Sequence, residues 1–259
     1  DEKATKPGAV AADGNGGAGG AGQVFWTNDE DYPHGSATSW ASGVDYSGQG
    51  KHHVVDKLID PQGIATDPVN KHLYFAEHSG FALSRTGYDG SGKVTLVHKP
   101  QNVSFQPSGV AVDQTHGKMF ASIEQPNSTG YIAMFNIDGS DEQMLAGPHV
   151  VNPYGLCVDD VNEHVYYIIG GHGGQIRCVN YGATPCKNDV LLDIVDYAYN
   201  CAVDNSLAPH GGPTNIAFSV ADDIYYVSDE GGDYQKLDRV NTSNPLVVPM
   251  GVAFGCMGN

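Results

Sequence analysis

The sequence lacks a long apolar run and has few basic residues. No stretch of about 18 apolar residues occurs, so no membrane-spanning helix is predicted. Only 13 Lys and Arg residues stand against 30 Asp and Glu residues, and the formal net charge is −17. Nucleic acid and anionic membrane surfaces are therefore excluded as expected partners, because both attract concentrated positive charge. Cations, basic proteins and neutral glycans stay open as partners, and so does a role of the charge in solubility alone.

Sequence motifs of familiar chemistry are also missing. The EF-hand pattern, the His-Glu-x-x-His zinc motif and the Gly-x-Ser-x-Gly nucleophile turn do not occur. Spacing does not single out any grouping of Ser, His and Asp. The sequence thus predicts a protein that is not an enzyme and has no cofactor, with Ca²⁺ the ion that its acidic loops suit best.

What the sequence does contain is one short phrase in five copies. Each copy is a Pro-x-Gly-type turn that leads into an apolar strand. The copies start 46, 46, 60 and 36 residues apart, near the length usual for propeller blades. The 60-residue unit is predicted to carry an insertion without a repeat partner, residues 193–212. The five copies are residues 61–67, 107–113, 153–159, 213–219 and 249–255.

The runs between these copies predict the fold. Three more apolar runs follow each of the first four copies, which indicates blades of four short strands. Residues 249–255 have no second strand after them, and residues 23–27 have no first strand before them. The sequence therefore predicts an all-β, five-bladed β-propeller of four-stranded antiparallel blades, closed by pairing of this C-terminal strand with the N-terminal blade. Closure removes exposed sheet edges; an open array of β-sandwich type is the alternative.

The first residues have a different composition from the repeats. Residues 1–21 are rich in Gly and Ala, which bury too little surface to order themselves. We predict a flank at 1–21 and a propeller at 22–259. The flank is expected either to lie on its own propeller or to act as a docking arm toward another protein or another copy of the chain.

Cysteines and glycosylation sequons indicate an oxidising compartment. Cys178 and Cys186 flank a predicted turn between two strands, so we expect a disulfide between them. Five cysteines are an odd number, and the pairing of the others stays open. The sequence therefore favours a secreted, extracellular protein. The other cysteines are Cys157, Cys201 and Cys256, and the predicted glycosylation sites are Asn102, Asn127 and Asn241.

One face of the predicted propeller collects acidic and histidine side chains. The loops after the second strands and the starts of the first strands share this face. Carboxylates suit Ca²⁺ and imidazoles suit Zn²⁺, so these loops are candidate metal ligands, with a solvated acidic rim as the alternative. The candidates are Asp29, Asp31, Glu77, His78, His172, Asp229, Glu230 and Asp233, on a face that Glu124 shares.

The starts of the first strands are predicted to surround the mouth of the central channel. They carry no acid or histidine, which argues against a hydrolase with a metal in the channel. These residues are Gln62, Ser108, Tyr154, Thr214 and Met250.

The predicted second strands carry a recurrent aromatic motif. Phe25-Trp26-Thr27-Asn28, Tyr74-Phe75-Ala76-Glu77 and Tyr226-Val227-Ser228-Asp229 resemble the Tyr-Trp-Thr-Asp signature of low-density-lipoprotein-receptor-type (YWTD) β-propellers. The Pro-x-Gly phrase before the motif and an Asp-Gly-Ser turn after it also match. Members of this family usually have six blades, whereas five are counted here. The resemblance implies protein binding outside cells.

The motif itself is predicted to serve the fold. Its aromatic pair would fill the space between neighbouring sheets, and its polar residues would form hydrogen bonds across blades.

The sequence favours a non-catalytic extracellular interaction or structural module, such as a subunit of a surface, matrix or filament assembly. Its expected partners are proteins or copies of itself, with contact through residues 1–21. A lectin-like or ligand-binding propeller that uses the loops of the acidic face is one alternative, with glycans as ligands. A metal-dependent propeller hydrolase or lactonase is the other alternative.

Overall fold

The computed structural model describes residues 7–13, 22–29, 38–171, 173–194, 197–220 and 223–236. These residues form five four-stranded antiparallel sheets, the blades of a β-propeller, so the predicted all-β fold with five blades is confirmed. The described residues contain no α-helix, only a 3₁₀ turn at Ala208–His210. Consequently, none of their helical segments could cross a bilayer.

The strands follow one another through the five blades in chain order. Blade one has β1 (Pro7–Ala12), β2 (Gln23–Asn28), β3 (Ser39–Asp45) and β4 (His52–Leu58). Blade two has β5 (Pro61–Asp67), β6 (His72–Glu77), β7 (Ala82–Gly87) and β8 (Val94–His98). Blade three has β9 (Gln106–Asp113), β10 (Lys118–Gln125), β11 (Thr129–Asn136) and β12 (Gln143–Ala146). Blade four has β13 (Pro153–Asp159), β14 (His164–Ile169), β15 (Gln175–Asn180) and β16 (Val190–Asp193), and blade five has β17 (Ala198–Asp204), β18 (Asn215–Val220), β19 (Asp223–Ser228) and β20 (Gln235–Lys236).

The first strand of each blade is its inner strand. β1, β5, β9, β13 and β17 contact one another in that order. The glycine of the repeated phrase makes this contact possible, because a Cβ on Gly63 would lie 2.8 Å from the Ser108 carbonyl oxygen of the next blade. Gly109 meets Tyr154 in the same way, also at 2.8 Å. The repeated glycine is therefore required by the close approach of neighbouring inner strands.

Aromatic residues of the second strands fill the space between blades, as the sequence predicts. Tyr74 and Phe75 are fully buried neighbours on β6. Successive side chains of a strand point to opposite faces. Phe75 therefore packs with residues of blade one, and Tyr74 packs with residues of blade three. The pair therefore joins three blades, and burial of each such side chain contributes about 1.5–3 kcal/mol to stability.

The hydroxyl side chain at the polar position of the motif forms hydrogen bonds between blades, as the sequence also predicts. Thr27 Oγ1 accepts from the N–H of Ala9 at 2.9 Å and donates to the carbonyl of Pro61 in the next blade at 3.1 Å. Ser122 occupies the same place in blade three and donates to the carbonyl of Tyr154. Each buried hydroxyl thus ties one blade to the start of the next inner strand.

The place beside β2 that the sequence assigns to residues 249–255 is occupied by β1, so this predicted pairing is wrong: β2 pairs with β1 on one side and with β3 on the other. Residues 249–255 themselves lie outside the described residues. The boundary predicted at 21/22 is wrong for the same reason, because β1 belongs to blade one. The segment Pro7-Gly8-Ala9-Val10-Ala11-Ala12-Asp13 is itself a copy of the phrase. Its Gly- and Ala-rich surroundings concealed it.

The predicted strand order of blade five is also wrong. Residues 198–204, assigned to an insertion, form the inner strand β17, and residues 215–220 form the second strand. Ala198-Tyr199-Asn200-Cys201-Ala202-Val203-Asp204 preserves the Tyr, Val and Asp of the phrase that starts at Pro153. It has lost the Pro and the Gly, which were the residues used to find copies. The inner strands β13 and β17 thus start 45 residues apart.

Among the described residues, one disulfide lies within blade four and a second joins blade four to blade five. The predicted bond between Cys178 and Cys186 is present. A second bond joins Cys157 on β13 to Cys201 on β17 and so links two adjacent inner strands covalently. Both of these cysteines are buried, at 6% and 4% exposure. Cys256 lies outside the described residues.

Candidate ligand-binding site at the channel mouth

At one end, the inner strands surround a cavity of about 450 Å³. Gln62, Ser108 and Tyr154 line it, as the sequence predicts. Thr214 does not, because it precedes a second strand, and Tyr199 of β17 takes the corresponding place. Met250 lies outside the described residues. The residues that line the cavity from the starts of the five inner strands are Gly8, Gln62, Ser108, Tyr154 and Tyr199.

A chain of polar side chains crosses the cavity. His78 Nδ1 lies 3.1 Å from Asp60 Oδ2, and His78 Nε2 lies 3.8 Å from Glu124 Oε2. The Ser108 hydroxyl donates to Glu124 Oε1, and the Ser79 hydroxyl donates to Asp60 Oδ2 at 2.6 Å. Asp60, His78 and Glu124 come from two blades, so the tertiary fold alone brings them together.

His78 is an imidazolium ion at neutral pH. Burial alone would lower its pKa. Hydrogen bonding to Asp60 and the negative charges of Asp60 and Glu124 outweigh burial and raise the pKa of His78 to about 9. The protonated ring neutralises part of the acidic cavity, and its two nitrogens face two carboxylates.

Asp60 is held in an unusual conformation. Its φ of 50° lies in the left-handed region, which costs a non-glycine residue about 1 kcal/mol or more. Burial alone would raise its pKa, but hydrogen bonds from His78 and Ser79 and the charge of His78 hold the pKa below its usual value. The ionised carboxylate is therefore fixed in place, and backbone strain coincides with the candidate site.

Tyrosines form the other side of the cavity. The rings of Tyr154 and Tyr199 lie 6.1 Å apart and are inclined by 30°. Tyr199 also stacks with Tyr197 at 6.5 Å. Asn200 lines the wall next to Tyr199, and Asp29 contributes a third carboxylate, which accepts from the Ser39 hydroxyl at 3.0 Å. The cavity thus combines negative charge with aromatic surface.

Of the predicted metal ligands that the structure describes, two line this cavity. Asp29 and His78 do, together with Glu124 of the same acidic face. Glu77 is instead buried within blade two, where it accepts from the N–H of Ile59 and from the Ser84 hydroxyl. Asp229, Glu230 and Asp233 follow β19 of blade five and do not line the cavity, and Asp31 and His172 lie outside the described residues.

The sequence analysis missed Asp60, Tyr199 and Asn200. Asp60 directly precedes the phrase at Pro61, so it was not counted among the strand starts. Tyr199 and Asn200 were assigned to an insertion; the match of β17 to the phrase at Pro153 was the signal that could have identified them. The starts of the inner strands that line the mouth carry no acid, and the acidic groups Asp29, Asp60 and Glu124 reach the mouth from outside the inner strands.

The arrangement could hold a cation in two ways. The carboxylates of Asp29, Asp60 and Glu124 and the amide of Asn200 are oxygen ligands of the type that Ca²⁺ accepts. However, the imidazolium of His78 already lies between two of these carboxylates and must leave or lose its proton before a metal ion binds there. An organic cation has no such requirement, since it can lie against the carboxylates and the tyrosine rings.

Two predicted glycosylation sites are accessible. Asn102 and Asn127 are both exposed, and both lie in loops between strands. Asn241 lies outside the described residues. Glycosylation of all three stays a prediction.

No family model matches this chain. Among curated proteins, it is similar to Protein cueball of Drosophila sechellia, with 24% identity over 152 residues. The match covers 55% of this chain and 22% of that protein. Protein cueball of Drosophila simulans is similar to the same extent. The chain thus spans about a fifth of the length of the curated relatives it matches.

Solved structures with the same fold include both binding proteins and enzymes. A chain in the crystal structure of a nidogen/laminin complex has a TM-score of 0.74 and 15% identity, over 98% of this chain and 86% of that one. A gluconolactonase from Xanthomonas campestris has a TM-score of 0.67 and 16% identity, over 94% of this chain and 78% of that one. At these identities the similarity establishes the β-propeller fold alone.

Proposed function

We propose that this chain is a non-catalytic, extracellular interaction module that binds a cationic group of a protein partner at the channel mouth. The observation that carries the proposal is the composition of the cavity. Three carboxylates, from Asp29, Asp60 and Glu124, stand against one imidazolium, and two tyrosine rings form the opposite wall. Negative charge with aromatic surface is what a guanidinium or ammonium group requires.

The polar groups of the cavity support binding rather than catalysis. His78 is protonated at neutral pH and faces carboxylates through both nitrogens, so it cannot take a proton from a nucleophile. The Ser108 hydroxyl donates to Glu124 and not to an imidazole. The serine and histidine of the mouth are thus engaged with carboxylates and not with each other.

An extracellular location is part of the proposal. Its support is the pair of disulfides, together with the exposure of the sequon residues Asn102 and Asn127. The fold is similar to that of a chain from a nidogen/laminin complex, which supports a protein partner. Expression in a secretory host tests the sequons: removal of N-glycans should lower the mass of the wild type, and less so in Asn102→Gln.

The proposal also includes descent from the low-density-lipoprotein-receptor-type YWTD propellers. Its support is local: the aromatic pair Tyr74 and Phe75 packs between three blades, and Thr27 and Ser122 form hydrogen bonds across blades in the polar position of the motif.

A metal-dependent lactonase is the second candidate function. The observation that favours it is the presence of three carboxylates and Asn200 at the mouth, combined with a fold like that of a gluconolactonase. The protonated His78 disfavours it, because the imidazolium occupies the position between two of the carboxylates.

Binding to immobilised synthetic peptides and glycans tests the first candidate. Basic peptides should bind, and acidic peptides and neutral glycans should not. Glu124→Gln should weaken binding about fivefold or more, since a charge at about 4 Å contributes about 1 kcal/mol even in bulk water. Asp56→Asn is the matched control, because Asp56 is an exposed carboxylate on the outer strand β4. Equal losses in both variants would contradict binding at the mouth.

Hydrolysis of lactones and aryl esters tests the second candidate. The assay is run with Ca²⁺, Mn²⁺, Zn²⁺ or EDTA. We expect no turnover under any of these conditions. Turnover that depends on metal and disappears in Glu124→Gln would replace the interaction module with the enzyme.

A further inference from the structure

A histidine and two cysteines meet in blade four, away from the channel mouth. A nitrogen of His164 and the sulfur atoms of Cys178 and Cys186 all lie within 4.8 Å of one another. His164 begins β14, Cys178 lies on β15, and Cys186 lies in the loop between β15 and β16. In the oxidised protein the two sulfurs are bonded, so this cluster is a disulfide beside a buried imidazole.

The imidazole of His164 has the hydrogen-bonding pattern of a metal ligand. Its Nε2 lies 3.0 Å from the carbonyl oxygen of Thr184. A carbonyl only accepts, so Nε2 carries the proton and Nδ1 keeps its lone pair. Nδ1 is buried without a hydrogen-bond partner among the described residues. Histidines that bind metals commonly donate their second N–H to a carbonyl or carboxylate, which fixes the ring and its tautomer.

The two disulfides differ in their access to solvent. Residues 183–185, which directly precede Cys186, are exposed, and Cys186 is itself half-buried. Cys157 and Cys201 are buried between two inner strands. A thiol in solution therefore reaches the bond between Cys178 and Cys186 first, and reduction of this bond leaves the link between the inner strands intact.

We propose that reduction of this disulfide creates a Zn²⁺ site formed by His164, Cys178 and Cys186. A dithiol supplies two electrons and two protons, the S–S bond breaks into two thiols, and the dithiol closes to its own disulfide. Zn²⁺ then forms one bond to nitrogen and two to sulfur, and both thiol protons go to solvent. Imidazole and thiolate are preferred ligands of Zn²⁺, and water completes the tetrahedron.

The site would keep the loop after β15 attached to blade four in both redox states. Under oxidising conditions the attachment is the disulfide from Cys186 to Cys178 on β15. Under reducing conditions it is the metal ion, which also has an open coordination position that the disulfide lacks. Blade four would thus exchange a covalent link for a metal link when a dithiol is present.

Cobalt binding tests the proposal, because Co²⁺ bound by thiolates gives a sulfur-to-metal charge-transfer band. All proteins carry Cys256→Ser, which removes one other thiol. Each is reduced with dithiothreitol, desalted without oxygen, and titrated with Co²⁺ and then with Zn²⁺. The reduced protein should bind one Co²⁺ with this band, and Zn²⁺ should abolish the band. The unreduced protein should show no band. Absence of the band after reduction would overturn the proposal.

Three variants decide which residues hold the metal. Cys186→Ser, at a loop position that leaves the blades intact, should lose the band while its circular dichroism stays unchanged. His164→Gln should retain both thiols and weaken Co²⁺ binding about tenfold or more. The double variant Cys157→Ser, Cys201→Ser is the matched control and should keep the band at a temperature at which circular dichroism shows that it is folded. A band that survives in Cys186→Ser, or that disappears only in the control, would overturn the assignment.

Discussion

The two ends of the inner strands belong to the same repeat but differ in what their side chains do. At the end far from the cavity, the phrase closes on a buried Asp. Asp67 accepts from the backbone N–H groups of Val69 and Asn70 at 3.1 and 3.0 Å. Asp159 makes the same two contacts in blade four, at 3.0 and 3.2 Å. This end therefore repeats one local structure, a turn closed by a carboxylate.

At the channel mouth, the corresponding positions vary among the blades, although blades four and five both carry a tyrosine. Gln62, Ser108 and Tyr154 occupy the same place in three consecutive phrases, and each faces the cavity. Their differences teach that the repeat constrains the fold at one end and leaves the other end free to vary. The repeated residues at one end serve the stability of the fold, and the non-repeated residues at the mouth are the candidates for ligand contact.

The largest expected effect on stability lies between the two ends, where Cys157 and Cys201 join two inner strands. Their sequence separation is 44 residues, against 8 for Cys178 and Cys186. Loop-closure entropy predicts a loss of about 4 kcal/mol in the free energy of unfolding for Cys157→Ser, Cys201→Ser, and about 2.5 kcal/mol for Cys178→Ser, Cys186→Ser. Urea unfolding of both double variants measures the difference. A larger loss for the second pair would contradict the assigned role of the inner-strand link.

Asp159→Ala should have the next largest effect. The Asp159 carboxylate also accepts from the Thr214 hydroxyl at 2.6 Å and from the Asn205 amide at 2.9 Å, both in blade five. Its removal leaves several buried donors without acceptors and should cost about 3 kcal/mol. The midpoint of thermal unfolding reports the loss. Peptide binding by the folded variant should be unchanged, and a selective loss of binding would undermine the division between the two ends.

His78 should make stability depend on pH. Its pKa is about 9 in the folded protein and 6.5 as the reference value, so protonation favours folding. The contribution is fully present below pH 6.5 and is lost as the pH rises through 9. One pKa unit corresponds to 1.36 kcal/mol, so the loss is at most about 3 kcal/mol.

The His78→Gln variant isolates this contribution. Urea midpoints of the wild type and of His78→Gln are compared at pH 6.5, 7.5 and 9. The difference between the two proteins should shrink as the pH rises, because only the wild type loses a buried ion pair. Parallel curves would show that Asp60 and Glu124 do not hold the proton on His78.

Gln62→Ala should have the smallest effect on stability. Gln62 Nε2 lies 3.4 Å from Asp60 Oδ1, a long hydrogen bond at a half-exposed position. We expect a change within about 0.5 kcal/mol, as at ordinary surface positions. Thermal unfolding provides the measurement. A loss as large as that of Asp159→Ala would mean that the mouth also serves the fold.

Much of the fold could be predicted because the signals are local. Alternation along a strand sends Tyr74 and Phe75 to opposite sides, and that follows from the sequence directly. The disulfide between Cys178 and Cys186 was predictable, because a short loop between two strands keeps the cysteines close. The inner strand β17 was not predictable, because its copy of the phrase has Ala198 and Asn200 in place of Pro and Gly.

The candidate site was less predictable than the fold. His78 and Asp29 could be assigned to an acidic face from the repeat alone. Their neighbours in the cavity could not be predicted. Asp60 lies before its strand in a left-handed conformation, and Tyr199 was assigned to an insertion. The pKa of His78 depends on its distance from Glu124 in the next blade, and no local sequence pattern encodes that distance.

By itself, the sequence determined the strand content, the four-stranded blade and the aromatic packing between blades, because these follow from periodicity and from side chains near one another along the chain. The tertiary structure decided which phrase-like segments occupy the inner positions. Residues 7–13 lack the Pro-x-Gly spacing of the phrase, so contacts with β2 and β5 place them as an inner strand. The same long-range contacts bring Asp60, His78 and Glu124 into one cavity, where their charges fix one another.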